Sequence, residues 1–154
     1  MKLYLVQHAK AASKDADPER PLTDEGRQDS RKVAGFIRPL HLSVDYLWHS
    51  GKKRAAQTSD ILSEVVRTEQ DNAARDGLGP NDDVAALKDE LVSAQGDIMI
   101  VGHLPFLGKL ASLLLTGSES ANPVAFKNAG IVCIARLSGG KWQIEWMVTP
   151  EILA

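Results

Sequence analysis

Met1-Lys-Leu-Tyr-Leu-Val-Gln-His-Ala-Lys10 is the stretch whose reading decides the fold. Leu3, Tyr4, Leu5 and Val6 form a short apolar run of β-favouring side chains, which reads as a buried strand. His8 follows where that strand gives way to a loop. Ligands in open α/β sheets bind outside the carboxyl ends of the strands, so His8 stands where a ligand arrives.

A second such arrangement lies far along the chain. Ile98, Met99, Ile100 and Val101 are uninterrupted apolar residues, as in a parallel strand covered on both faces, and Gly102 and His103 follow. If both strands are central and parallel, both imidazoles emerge at one edge of the sheet.

Helical patterns separate the strands. Thr23 is a good N-cap, with Asp24 and Glu25 favouring the first turn. Val33, Ala34, Phe36 and Ile37 then recur at helical spacing up to Pro39. Val44–Trp48 reads as a strand, broken by Ser50 and Gly51, and a helix follows over about 52–66. The polar segment Arg67–Asp83 predicts a short strand or none. Asn81 or Asp82 could cap a third helix carrying Val84, Leu87 and Leu91. Leu104–Leu115 reads as an apolar helix with Pro105 in its first turn. Ile131–Leu137 and Trp142–Val148, joined through Ser138-Gly-Gly-Lys141, read as a hairpin. The expected fold is a three-layer α/β/α sandwich with a mostly parallel central sheet. Its 154 residues fit one domain, 1–154.

Composition narrows the function. With 44% hydrophobic residues the chain can bury a core, and a net charge of −2 gives no reason to expect nucleic acid or an anionic membrane as partner. No apolar run is long enough to span a bilayer, and no signal peptide is visible, so a cytoplasmic protein is expected. The one cysteine, Cys133, has no intramolecular disulfide partner and reads as a core residue.

The chemistry-bearing residues are a mixed set. Arg20 lies in the long polar loop after His8. Arg54 opens a helix after Ser50-Gly-Lys-Lys. Guanidinium groups bind phosphate oxygens bidentately and stay charged. A neutral imidazole is a competent covalent acceptor, and cations beside it offset the charge of a phosphoryl group. A metal held by His8 and His103 lacks an obvious third ligand. His41 and His49 read as structural.

Four segments carry a resemblance, in matching order from Lys2 to about Leu115. Leu3-Tyr-Leu-Val-Gln-His-Ala-Lys10 resembles the R-H-G/A signature of the histidine phosphatase superfamily. Arg20-Pro-Leu-Thr-Asp-Glu-Gly26 resembles the R-P-L-T-x-x-G of its small phosphohistidine phosphatase (SixA-type) branch. Ser50-Gly-Lys-Lys-Arg-Ala-Ala-Gln-Thr58 resembles S-P-x-x-R-A-x-Q-T, and Val101-Gly-His-Leu-Pro105 resembles V-G/S-H-x-P. The resemblance implies His8 as the phosphorylated nucleophile, with Gln7, Arg20, Arg54 and His103 around the phosphate and Ser50 at the pocket edge. It implies no cofactor and no metal, a phosphate or other oxyanion in the pocket, and a phosphohistidine-bearing protein, such as a histidine phosphotransfer domain, as partner.

Two departures stand out. Gln7 replaces the usual arginine before the nucleophile, and Gly51 replaces the usual proline. Lys10 is a nearby cation that could compensate for Gln7. Two other readings follow from the same residues. One is a phosphatase of small phosphoesters, with Asp76, Asp82 or Asp83 as general acid. The other is a phosphate- or phosphoprotein-binding module in which Gln7 has weakened catalysis.

Overall fold

The computed structural model describes every residue from Met1 to Ala154. Its six strands are β1 (Lys2–Gln7), β2 (Ser43–His49), β3 (Arg67–Ala74), β4 (Ile98–Gly102), β5 (Ile131–Arg136) and β6 (Trp142–Val148). Four helices accompany them: α1 (Asp24–Ile37), α2 (Lys53–Ser63), α3 (Ala85–Leu91) and α4 (Phe106–Thr116). The strands form one sheet in the order β3-β2-β4-β1-β5-β6. The first four in that order run parallel, and the β5–β6 hairpin adds two antiparallel strands beside β1.

Side-chain alternation along the strands divides the core in two. Tyr4, Val6, Leu47, Met99, Val101 and Cys133 pack with Val33, Ile37, Ile61 and Leu62 of α1 and α2. Leu3, Leu5, Ile98 and Ile100 face the other way, onto Leu87 and Leu91 of α3 and Phe106, Leu107 and Leu110 of α4. A sheet buried on both faces explains why β1 and β4 read as unbroken apolar runs. Each fully buried leucine contributes about 1.5–3 kcal/mol. No helix is long and apolar enough to cross a membrane.

Thr23 caps α1 as expected, its side chain accepting the Gly26 amide at 3.0 Å. Elsewhere the structure corrects the sequence reading. The Arg67–Asp83 segment holds a full eight-residue strand, β3. It is polar because it forms the outer edge of the sheet, and pairing with β2 supplies its order. Helix α2 ends at Ser63, three residues early. Pro105 precedes α4 and is not part of its first turn. The first amide of α3, that of Ala85, is taken by Asp83 Oδ1 and not by residue 81 or 82.

Candidate active site

Parallel register brings three strand ends together. Gln7 pairs with Gly102, and His49 pairs with Val101, so the next residues, His8, His103 and Ser50, leave adjacent strands at one edge. The His8 and His103 ring centroids are 5.0 Å apart. Ser50 Oγ lies 2.5 Å from His103 Nε2.

The His8 backbone is held on both sides. Its amide donates to Gly102 O at 3.0 Å, and its carbonyl accepts from Asn128 Nδ2 at 2.9 Å. Its ring Nδ1 lies 2.7 Å from the Ala9 carbonyl. A carbonyl only accepts, so Nδ1 carries the proton and Nε2 of the neutral ring keeps a free lone pair. Burial pushes the His8 pKa below its usual value; the Ala9 carbonyl opposes this, and Arg54 and Arg20 add to it. His103 is 1% exposed. Burial first, then the charges of His8, Arg54, Lys52 and Arg20, push its pKa down to about 3. Both rings are therefore neutral at physiological pH.

Two buried polar atoms of this cluster, Arg54 Nε and His103 Nδ1, have no partner, and neither does Oε1 of Gln7, the residue before His8. Buried polar groups are nearly always paired, so unpaired atoms on Arg54 and His103 mark a place prepared for a polar ligand. Arg54 is itself depressed in pKa by burial and by Arg20. Two guanidiniums near one another and two neutral imidazoles make a site suited to an anion. No three His, Cys, Asp or Glu side chains gather where they could hold a metal ion.

The loop that carries Arg20 is strapped to α2. Gln57 Oε1 accepts the Leu22 amide at 2.8 Å, and Thr58 Oγ1 accepts the Ala9 amide at 3.0 Å. Arg20 itself has φ 52, a strained backbone for a side chain with a Cβ. Its Nε donates to Ala12 O at 3.0 Å, which fixes the direction of the guanidinium. Gly26 has no room for a side chain, because a Cβ there would lie 2.1 Å from Lys10 O. The helix start and the loop after His8 are thus in direct backbone contact.

Of the residues singled out in the sequence, His8, His103 and Ser50 leave adjacent strand ends, and Arg20 and Arg54 lie close enough to act on both rings; Gln7 precedes His8 in the backbone, and its side chain makes no hydrogen bond with them. Ser50 is engaged with His103. Lys10 does not replace the missing arginine: its Nζ pairs with Glu25 at 2.6 Å at the surface. The three aspartates are turned to local uses. Asp82 Oδ2 accepts the Gly79 amide at 2.7 Å, Asp83 takes the Ala85 amide, and Asp76 lines a separate crevice with Arg75 and Glu90. Gly51 has φ +88, outside the range of proline, and its amide donates to His49 Nδ1 at 3.1 Å. Asn128 and Gln57 were missed as site supports. Gln57 lay within a quoted motif; nothing in the sequence marks Asn128.

The fold and these residues are similar to those of histidine phosphatases: the family model of the histidine phosphatase superfamily (branch 1) matches residues 3–78 of this chain. Phosphohistidine phosphatase SixA of Escherichia coli (strain K12) is 24% identical over 155 residues, covering 97% of this chain and 94% of that protein. An uncharacterized protein of Picosynechococcus sp. is 29% identical over 139 residues, covering 86% and 83%. Among solved structures, the protein histidine phosphatase SixA complexed with tungstate shares the fold over 99% of both chains, with a TM-score of 0.84 and 23% identity.

Gln7→Arg gives a direct measure of the departure at that position. A third guanidinium would add a charge-assisted contact to the anion, about 1.5–3 kcal/mol. Inorganic phosphate should then bind roughly tenfold tighter or better by calorimetry. Unchanged affinity would mean that residue 7 does not touch the anion.

Proposed function

We propose that the protein is a metal-independent phosphatase that hydrolyses phosphohistidine on a protein, through a phospho-His8 intermediate. The observation that carries this reading is His8: a neutral ring with Nδ1–H committed to the Ala9 carbonyl and Nε2 free, beside His103 and two arginines.

In the first step His8 Nε2 forms a bond to phosphorus as the P–N bond of the substrate breaks. The departing imidazole leaves neutral when its other ring nitrogen already carries a proton from solvent. His8 keeps its Nδ1–H, so phospho-His8 is a cationic ring stabilised by the Ala9 carbonyl. That positive charge makes it a good leaving group in turn. Water then bonds to phosphorus, the P–Nε2 bond breaks, and dihydrogen phosphate departs, giving up a proton to solvent. Arg20 and Arg54 offset the charge on the phosphoryl oxygens throughout.

An imidazole leaving group needs less acid assistance than an alkoxide, which fits a site where the aspartates are engaged elsewhere. Beside Arg54 lies an open groove of about 530 Å3, lined by Pro18, Glu19, Gly51, Lys52 and Lys53. An open groove on the Arg54 side of the site leaves room for a protein surface to approach, which supports a phosphoryl group displayed on a protein. The protein histidine phosphatase SixA, which shares this fold, is complexed with tungstate, an oxyanion, which supports a reading in which this fold takes an anion.

The test is phosphate release in EDTA from a phosphohistidine-bearing protein, beside a panel of small phosphoesters. The expected result is EDTA-resistant release from the protein and slow release from the esters. Esters turned over as fast as the protein would overturn the substrate. Activity lost in EDTA and restored by a divalent cation would overturn metal independence.

A further inference from the structure

Ser50 stands at the turn between β2 and α2 and is bonded on two sides. Its Oγ accepts the Lys52 amide at 3.3 Å and lies 2.5 Å from His103 Nε2. With an amide already pointing at the oxygen, the hydroxyl proton is free to turn toward the ring. A hydroxyl is also the one small group that can reverse its role, donating to a bare ring nitrogen and accepting from a protonated one.

We propose that Ser50 is a positioning residue for His103: its hydroxyl holds the neutral ring in the Nδ1–H form, aiming a donor at the phosphoryl group, and accepts from Nε2–H when the ring becomes charged. The inference deepens the phosphatase reading and rests on it for the identity of the anion. His103 Nδ1 is buried and has no protein partner. As a bare lone pair it would repel an oxyanion; as N–H it would be satisfied by one. Because carbon cannot replace the second half of this arrangement, loss of the hydroxyl should cost more than a contact.

Protonation of His103 is opposed from each side that faces it. His8 at the end of β1, Arg20 in the following loop, and Lys52 and Arg54 at the start of α2 all act against a positive ring. A bound anion offsets the charges of Arg20, Lys52 and Arg54 and makes the charged ring accessible. Phosphate should therefore bind more tightly as the pH falls, with proton uptake by His103. Ser50, as acceptor for Nε2–H, sets the pH at which this begins.

The experiment uses Ser50→Ala and Ser50→Thr in the whole protein, with inorganic phosphate as the probe. Long-range proton–nitrogen NMR of the phosphate-free protein at neutral pH should show His103 as the Nδ1–H tautomer in the wild type and in Ser50→Thr. Ser50→Ala should show a mixture of both tautomers. In Ser50→Ala the rise in phosphate affinity should begin at lower pH, and kcat on a phosphohistidine protein should fall about 10- to 100-fold with a smaller change in KM. Ser50→Thr should restore both. An Nε2–H tautomer in the wild type, or a Ser50→Ala protein with wild-type tautomer and phosphate profile, would overturn the proposal. The ring spectra and phosphate binding need no turnover. If phosphohistidine proved not to be the substrate, they would still decide the role of Ser50.

Discussion

His8→Ala is expected to lower turnover of a phosphohistidine protein by about ten-thousandfold or more, the scale seen when a covalent nucleophile is removed. The fold should survive. The ring makes one hydrogen bond within the protein, to the Ala9 carbonyl, whereas the backbone bonds to Gly102 and Asn128 do not involve it. Denaturant unfolding should therefore shift by only about 1 kcal/mol. Rapid mixing of the wild type with labelled substrate, followed by alkaline quench, should capture label on the protein. The alanine variant should capture none. Label retained by the variant would place the nucleophile elsewhere, and His103, the neighbouring imidazole, would be the next to replace.

Arg54→Ala carries the second large effect, a loss of about 100- to 1000-fold in kcat/KM. The guanidinium is half-buried, its Nε has no acceptor, and burial together with Arg20 already depresses its pKa. Holding a charge there without a counterion is a standing cost, recovered when an anion arrives. Removing it should thus make the protein without phosphate slightly more stable while weakening phosphate binding. Thermal melts with and without phosphate separate the two effects: the variant should melt at or above the wild type alone, and below it with phosphate. Arg54→Lys should recover only part of the activity, since an ammonium cannot reproduce the planar two-point contact. A variant as active as the wild type would remove Arg54 from the phosphate site.

The parts of the fold that announced themselves were those whose order comes from burial. β1 and β4 lie at the centre of the sheet, covered on both faces, and their apolar runs say so. β3 lies at the edge, exposed, and its sequence Arg-Thr-Glu-Gln-Asp-Asn-Ala-Ala has no pattern to follow; the neighbour β2 supplies its order. The site divides in the same way. His8, Arg20, Ser50, Arg54 and His103 sit in motifs with fixed spacing, and each motif holds further residues with mechanical roles. Gly26 permits backbone contact with Lys10, while Gln57 and Thr58 strap the loop down. Asn128 comes from the connection before β5 and touches the His8 carbonyl across 120 positions of sequence. A single amide-bearing side chain without a motif leaves no local signal of such a contact.

The place of β1 in the sheet bears on how the chain is made. It precedes every other strand of this sheet, yet both its neighbours, β4 and β5, lie beyond residue 97. While ribosomes are still building the middle of the chain, Leu3-Tyr-Leu-Val6 is an apolar strand with two unpaired edges. Such a segment invites pairing with other nascent chains, and is one that chaperones would be expected to shield. His8 thus emerges early and waits: about two thirds of this sequence must be made before β4 and His103 can join it.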